Sequence, residues 1–119
     1  MSDTATIRLT DVVGSGLCVA VADGELVFEA IRRELDAGRQ VVLSFSGVEN
    51  LTSAFLNAAV GQLYGAYKGK EDMLSERMSV VDADDQDLET LLRTIERAKE
   101  YFRDPDRFSA AVREVMGDD

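Results

Sequence analysis

Two adjacent hydroxyls, Thr52 and Ser53, stand where an apolar run gives way to an amphipathic helical pattern. A phosphate carried by Ser53 would lie at a helix N-terminus, where free N–H groups and the macrodipole favour negative charge. It would add about −1.5 to −2 charges to whatever surface surrounds it. The same pair also reads as ordinary helix grammar, with Thr52 as the cap and Ser53 as a small first residue. Both readings stand at this point.

Other side chains with chemical potential are soon set aside. The chain has no histidine, so it has no Ser-His or Cys-His arrangement, no imidazole metal ligand and no ready general base near neutral pH. Asp82-Ala83-Asp84-Asp85-Gln86-Asp87 is rich in carboxylates. A calcium loop counted from Asp82 needs glycine sixth and glutamate twelfth, where Asp87 and Arg93 stand. The cluster reads instead as the acidic first turn of a helix. Gly61-Gln62-Leu63-Tyr64-Gly65-Ala66-Tyr67-Lys68 lacks the Gly-Lys-Ser/Thr ending of a phosphate loop. Cys18 lies in an apolar run and reads as a packing residue. No catalytic residue, metal site or cofactor is expected, and the chain is read as non-enzymatic.

The bulk numbers agree with a binding role. The chain has 119 residues, which suits one domain spanning 1–119. Thirteen Lys and Arg against 23 Asp and Glu give a formal charge of −10. Such a surface repels phosphate backbones and anionic lipids, so the expected partner is a protein, with no direct nucleic-acid or membrane contact. The start, Met1-Ser2-Asp3-Thr4, lacks the basic and apolar regions of a secretory leader, and a single cysteine forms no internal disulfide. The expected location is cytoplasmic. Oligomeric state is not legible.

The elements that must position Thr52 and Ser53 follow from periodicity. Thr6-Ile7-Arg8-Leu9-Thr10 alternates like a half-buried strand, with Val12-Val13 as its extension. Gly14-Ser15-Gly16 marks a turn into the apolar Leu17-Cys18-Val19-Ala20-Val21, which suggests a hairpin. Asp23 reads as an N-cap for a helix over 24–37, with Val27, Phe28, Ile31 and Leu35 inward and Gly38 as a left-handed terminator. Gln40–Ser46 reads as a buried strand and Gly47–Asn50 as a loop. The helix beginning at Thr52-Ser53 presents Phe55, Leu56, Ala59, Val60, Leu63, Tyr64 and Tyr67 on one side. Gly61 and Gly65 within it cost about 1 kcal/mol each against alanine, which close packing on the sheet would offset.

Lys68–Asp72 interrupts the pattern before a helical turn near Met73 and Leu74, and Met78–Val81 reads as a strand. Asp84 or Asp85 should cap a long helix lined by Leu88, Leu91, Leu92, Ile95, Ala98 and Phe102. Arg93, Arg97, Lys99 and Arg103 give it a basic, solvated side. Asp104-Pro105 restarts the chain into an amphipathic helix with Phe108, Ala111, Val112 and Val115 inward. The expected architecture is α/β, a small mixed sheet of about four strands packed against helices, with a helical C-terminal extension over 83–119.

Val41 to Gly65, VVLSFSGVENLTSAFLNAAVGQLYG, resembles the central motif of the STAS domain of anti-sigma-factor antagonists and sulfate-transporter tails. It is more similar still to the STAS-like family of uncharacterised bacterial proteins. There a hydrophobic strand leads through Ser-Phe-x-x-Val to Leu-Thr-Ser-Ala-Phe-Leu-Asn and Gly-Gln-Leu-Tyr. The resemblance implies a regulatory protein-binding module, a partner-switching antagonist controlled by serine phosphorylation, whose partner is a histidine-kinase-like ATPase or another signalling protein. Aligned on Val48, Ser53 falls at the phosphorylated serine of true antagonists. Thr52 falls at their aspartate, Ala54 at their second serine and Phe55 at their glycine, while Ser44 replaces the aspartate usual at the strand end. The contact residues implied are Val48, Glu49, Asn50, Thr52, Ser53 and Phe55. The alternative from charge is an acidic inhibitor or antitoxin-like protein that masks a basic surface on its partner, with binding that falls steeply as salt rises.

Overall fold

In the computed structural model, which describes residues 3–103, the first strand leads into a helix and not into a hairpin. β1 covers Thr4–Arg8, and Leu9–Val13 is a short helix, α1. Leu9 is buried and Val12 and Val13 lie against the core, a spacing that suits one helical face better than alternation. Gly14, at φ +87°, closes α1 with its N–H on the Thr10 carbonyl at 2.8 Å. The Leu17–Cys18 strand, β2, therefore never pairs with β1.

α2 runs Val21–Asp36 and buries Gly24, Val27, Ile31 and Leu35. It starts earlier than Asp23, which sits in its first turn rather than at the cap; Ala20 takes the cap position. The C-terminal end is as expected. Gly38 has φ +83°, its N–H reaches the Leu35 carbonyl at 2.9 Å, and Arg39 N–H reaches that of Glu34 at 3.0 Å. This is a Schellman ending, and it needs a residue without Cβ strain in the left-handed region.

β3 (Gln40–Ser44) is the middle strand of a three-stranded sheet ordered β1-β3-β5, where β5 is Met78–Val81. Every pairing is parallel, and so is the separate pair of β2 with β4 (Asn50–Leu51). The expected mixed sheet of about four strands is thus a parallel arrangement of three plus two. The physical reason is connectivity: each strand is followed by helical or long crossover chain, which returns the next strand in the same direction. The rows Ala5–Val41–Met78 and Ile7–Leu43–Val80 face the helices, while Thr6 and Ser79 are exposed on the other side.

The central helical segment is continuous but irregular: α3 (Ser53–Leu56), a π-helical turn (Asn57–Gly61) and α4 (Leu63–Ala66). The Gln62 N–H reaches back five residues to the Asn57 carbonyl at 3.0 Å. That extra residue lets Ala58, Ala59, Val60 and Gly61 all be buried in succession, where a regular helix would turn one of them outward. α2 crosses this turn closely: a Cβ on Gly24 would stand 2.5 Å from the Phe55 carbonyl oxygen.

α5 (Glu71–Arg77) leads into β5, and α6 (Asp85–Arg103) returns across the π-helical turn. Asp84 caps α6 through Oδ1, which accepts the Asp87 N–H at 2.7 Å. The inward stripe of α6 differs from expectation. Leu91, Thr94 and Ala98 are buried, whereas Leu88 and Leu92 are 37% and 54% exposed. Small residues face the π-helical turn because the helices approach closely there, and the Thr94 hydroxyl is satisfied by the Thr90 carbonyl at 2.8 Å. Gly61 and Gly65 likewise serve this contact rather than the sheet: a Cβ on Gly65 would meet the Phe102 ring at 2.5 Å. One core cluster extends from Ile7 to Ala98. The Asp104-Pro105 restart and the stripe Phe108, Ala111, Val112 and Val115 lie outside the described residues.

Candidate functional site

The corner from β3 to α3 is held from three sides. Phe45, at the end of β3, is buried and its carbonyl accepts the Val48 N–H at 3.1 Å. Ser44 is 4% exposed, and its hydroxyl donates to Asp82 Oδ2 at 3.1 Å while accepting the Ser46 N–H at 3.3 Å. Asp82 has φ +61°, a left-handed conformation that aspartate tolerates, and it brings a carboxylate to the strand end where Ser44 stands. The Thr10 hydroxyl donates to the Ser46 carbonyl at 3.1 Å. A loop so tied presents its next residues in a fixed place.

Those residues then bond to a segment far away in sequence. The Gly16 carbonyl accepts both Glu49 N–H at 2.9 Å and Asn50 N–H at 3.1 Å, and the Cys18 carbonyl accepts Thr52 N–H at 3.2 Å. Leu17 stands opposite Asn50 and Cys18 opposite Leu51. Asn50, expected in the loop, begins β4 instead.

Thr52 is the cap that the helix grammar predicted. Its Oγ1 accepts the Phe55 N–H at 3.1 Å and donates to the Val19 carbonyl at 2.9 Å. The first intrahelical bond is Leu56 N–H to the Thr52 carbonyl at 3.2 Å. The N–H groups of Ser53 and Ala54 precede that bond, and both residues are exposed. A group attached to Ser53 is therefore accessible to another molecule and lies at the positive end of the helix.

Of the six residues singled out in the sequence, five come together at this corner. Glu49, Asn50 and Ser53 are exposed, and Val48 and Thr52 are half-buried. Phe55 parts from the group: it is 0% exposed and belongs to the core, so it supports the corner from beneath and offers no contact.

Two neighbours escaped sequence reasoning. Leu17, Val19 and Val21 are 50%, 43% and 49% exposed, while Cys18 between them is 0%. The uniformly apolar run Leu17–Val21, which suggests one arm of a hairpin, gives no sign of an outward side. On the opposite flank, Ser53, Asn57, Thr94, Arg97 and Tyr101 line a groove of about 640 Å³ between α3 and α6. Arg97 thus faces the same space as the Ser53 hydroxyl.

Burial pushes the Cys18 thiol above its ordinary value, with Asp23 and then Asp87 adding to the shift. Burial and these carboxylates thus disfavour the thiolate. Burial, then Asp84, also raises Asp87. Among the described residues, no group of three or more Cys, Asp or Glu is arranged to hold a metal ion, and no helix is long and apolar enough to cross a membrane.

Residues 23–88, more than half of the chain, match the family model described as a STAS-like domain of unknown function (DUF4325). No curated protein and no solved structure matches the chain.

Proposed function

The chain belongs to the STAS-like family of unknown function, and we propose that within it this protein is a non-enzymatic regulatory module that binds a protein partner in the cytoplasm. The whole chain acts as one domain, and the docking point is the corner Val48–Ser53. The observation that carries this reading is the exposed Ser53 at the start of a capped helix, on a loop pinned by Ser44, Asp82 and Thr10. A rigid scaffold with an accessible polar corner suits recognition.

Phosphorylation of Ser53 is the control that fits this geometry. The helix N-terminus accommodates the added charge without unfolding, and the groove shared with Arg97 offers a cation nearby. The same charge on an already acidic surface changes the fit to a partner. By resemblance, the partner is a histidine-kinase-like ATPase or another signalling protein, and the chain switches between partners as an antagonist does.

The test is a pull-down to identify the partner, followed by calorimetry of Ser53→Ala and Ser53→Asp. Ser53→Asp should change affinity about tenfold or more while Ser53→Ala stays close to wild type, since a charge introduced into an interface commonly shifts binding by more than about 1.4 kcal/mol. Equal affinity for both variants removes the switch from Ser53. The formal charge of −10 favours a second reading, an acidic inhibitor that covers a basic surface. That reading requires affinity to collapse between low and high salt, with no special dependence on Ser53.

A further inference from the structure

Leu17, Val19 and Val21 form an apolar ridge that the core does not explain. β2 is extended, and Cys18 points inward between the exposed Leu17 and Val19; Ala20, the cap residue of α2, is exposed as well. Val21, the first residue of α2, continues the outward series. Isolated exposed aliphatics are ordinary, but three in succession beside a polar docking corner are not. Nor is the ridge free to collapse inward. Its backbone is fastened to Asn50–Thr52 through the Gly16, Cys18 and Val19 carbonyls.

The charge around it is one-sided. All thirteen basic residues of the chain fall outside two long stretches, 9–31 and 40–67, which contain Asp11, Asp23, Glu25, Glu29 and Glu49. These stretches build β2, β4, α3 and most of α2. Glu49 lies over Gly16, where a Cβ would come within 2.8 Å of its Cγ, so a carboxylate borders Leu17 directly. Asp23 and Asp87 stand close enough to act on the Cys18 thiol behind the ridge. Arg97 lines the groove shared with Ser53 and Asn57.

We propose that the Leu17–Val19–Val21 ridge docks a partner protein whose contact surface is an apolar stripe flanked by lysines and arginines. The inference rests on the corner Val48–Ser53 being the docking point, and it adds the apolar anchor and the chemistry of the partner. Apolar centres with a charged rim are the usual division of labour in an interface, the centre supplying affinity and the rim steering. A second copy of this chain is a poor occupant, because a symmetric contact would set Glu49 and Asp23 against their own kind. Nucleic acid and anionic membranes are repelled for the same reason.

The probe is a synthetic amphipathic helix with leucines on one face and lysines on the other, titrated into the isotope-labelled full chain. Its control has the same composition with the two residue types mixed around the helix. Amide shifts should cluster at 16–21 and 48–54, and the control should bind about tenfold more weakly or worse. The double variant Leu17→Ser/Val19→Ser should lose about tenfold in affinity with its melting temperature retained, because both side chains are exposed in the free chain. Equal binding of the two peptides, shifts centred elsewhere, or unchanged binding by the double variant overturns the proposal. Self-association abolished by Val19→Ser would assign the ridge to a second copy and overturn it too. Ser53 variants report separately: ridge-dependent binding that ignores Ser53→Asp ends the switch and leaves the ridge standing.

Discussion

Thr52 and Val19, 33 residues apart, are joined by a hydrogen bond of 2.9 Å from the Thr52 hydroxyl to the Val19 carbonyl. The same oxygen accepts the Phe55 N–H at 3.1 Å. One side chain therefore both begins a helix and fastens the apolar ridge to the polar corner. A residue that resembles a simple cap in sequence is, in the fold, the joint between two parts of the candidate surface.

Replacing Thr52 should show both roles. Thr52→Ala should cost about 1–2 kcal/mol in urea denaturation, the range for losing an N-cap, and should speed amide exchange at Thr52 and Phe55. Thr52→Ser keeps the oxygen and should recover most of the loss. A cost below about 0.3 kcal/mol for alanine would mean that the cap contributes nothing here.

Gly24→Ala sets helix propensity against packing. Alanine gains about 1 kcal/mol within a helix. Its Cβ, however, would lie 2.5 Å from the Phe55 carbonyl oxygen and 2.9 Å from the Ala58 Cβ, and backbone does not step aside cheaply. A net destabilisation of about 1–3 kcal/mol is expected. Gly65→Ala meets the Phe102 ring, which can swing on its side-chain torsions, and should cost less. A stabilised Gly24→Ala chain would show that α2 is not so close to α3.

Arg77 donates through one nitrogen to the Leu35 carbonyl at 3.1 Å and the Arg39 carbonyl at 2.7 Å. It ties α5 to the end of α2 and the entry of β3, adding a second donor to the Leu35 carbonyl that already accepts the Gly38 N–H. Arg77→Ala should lose about 1–3 kcal/mol, as charged hydrogen bonds do. Thermal unfolding that matches wild type would contradict this.

Alkaline pH should weaken the fold. Burial raises the Cys18 thiol above its ordinary value, and burial together with the Asp36 hydrogen bond pushes Tyr67 up to about 12. Each group binds its proton more tightly when folded. The stability so linked is fully present below the unfolded-state values and is lost as pH rises through the folded ones. Denaturation midpoints should hold steady from pH ~7 to about 8.5 and then decline toward pH ~11. Cys18→Ala should flatten the early part of the decline. A midpoint that rises above pH ~9 has the wrong sign for this account.

Ser53→Asp should leave the fold intact or strengthen it slightly. A negative charge in the first turn of a helix typically adds about 0.3–1 kcal/mol, and Ser53 is exposed. A change in partner binding by this variant would then report on the interface. A drop of more than about 1 kcal/mol in stability would remove that interpretation.

Local grammar was legible wherever a short stretch carried its own reason. Val27, Ile31 and Leu35 recur at helical spacing and Gly38 ends α2 with φ +83°. The apolar Gln40–Ser44 run became the central strand, and Thr52 became the cap. Val12 and Val13 were misread because an alternating strand pattern ran directly into a five-residue helix, too short to show a period. The π-helical turn at Asn57–Gly61 escaped because one added residue breaks the ~3.6 repeat only locally.

By itself, then, the order of residues decided where Ser53 would stand: at the open end of a helix, behind a threonine cap and after a buried strand. These features depend on contacts a few residues apart. What surrounds Ser53 was decided by the tertiary structure, because Val19, Asp82 and Arg97 reach the corner from strands and helices tens of residues distant. Parallel pairing of two-residue strands leaves no periodic trace, so only the folded chain shows Leu17 lying opposite Asn50.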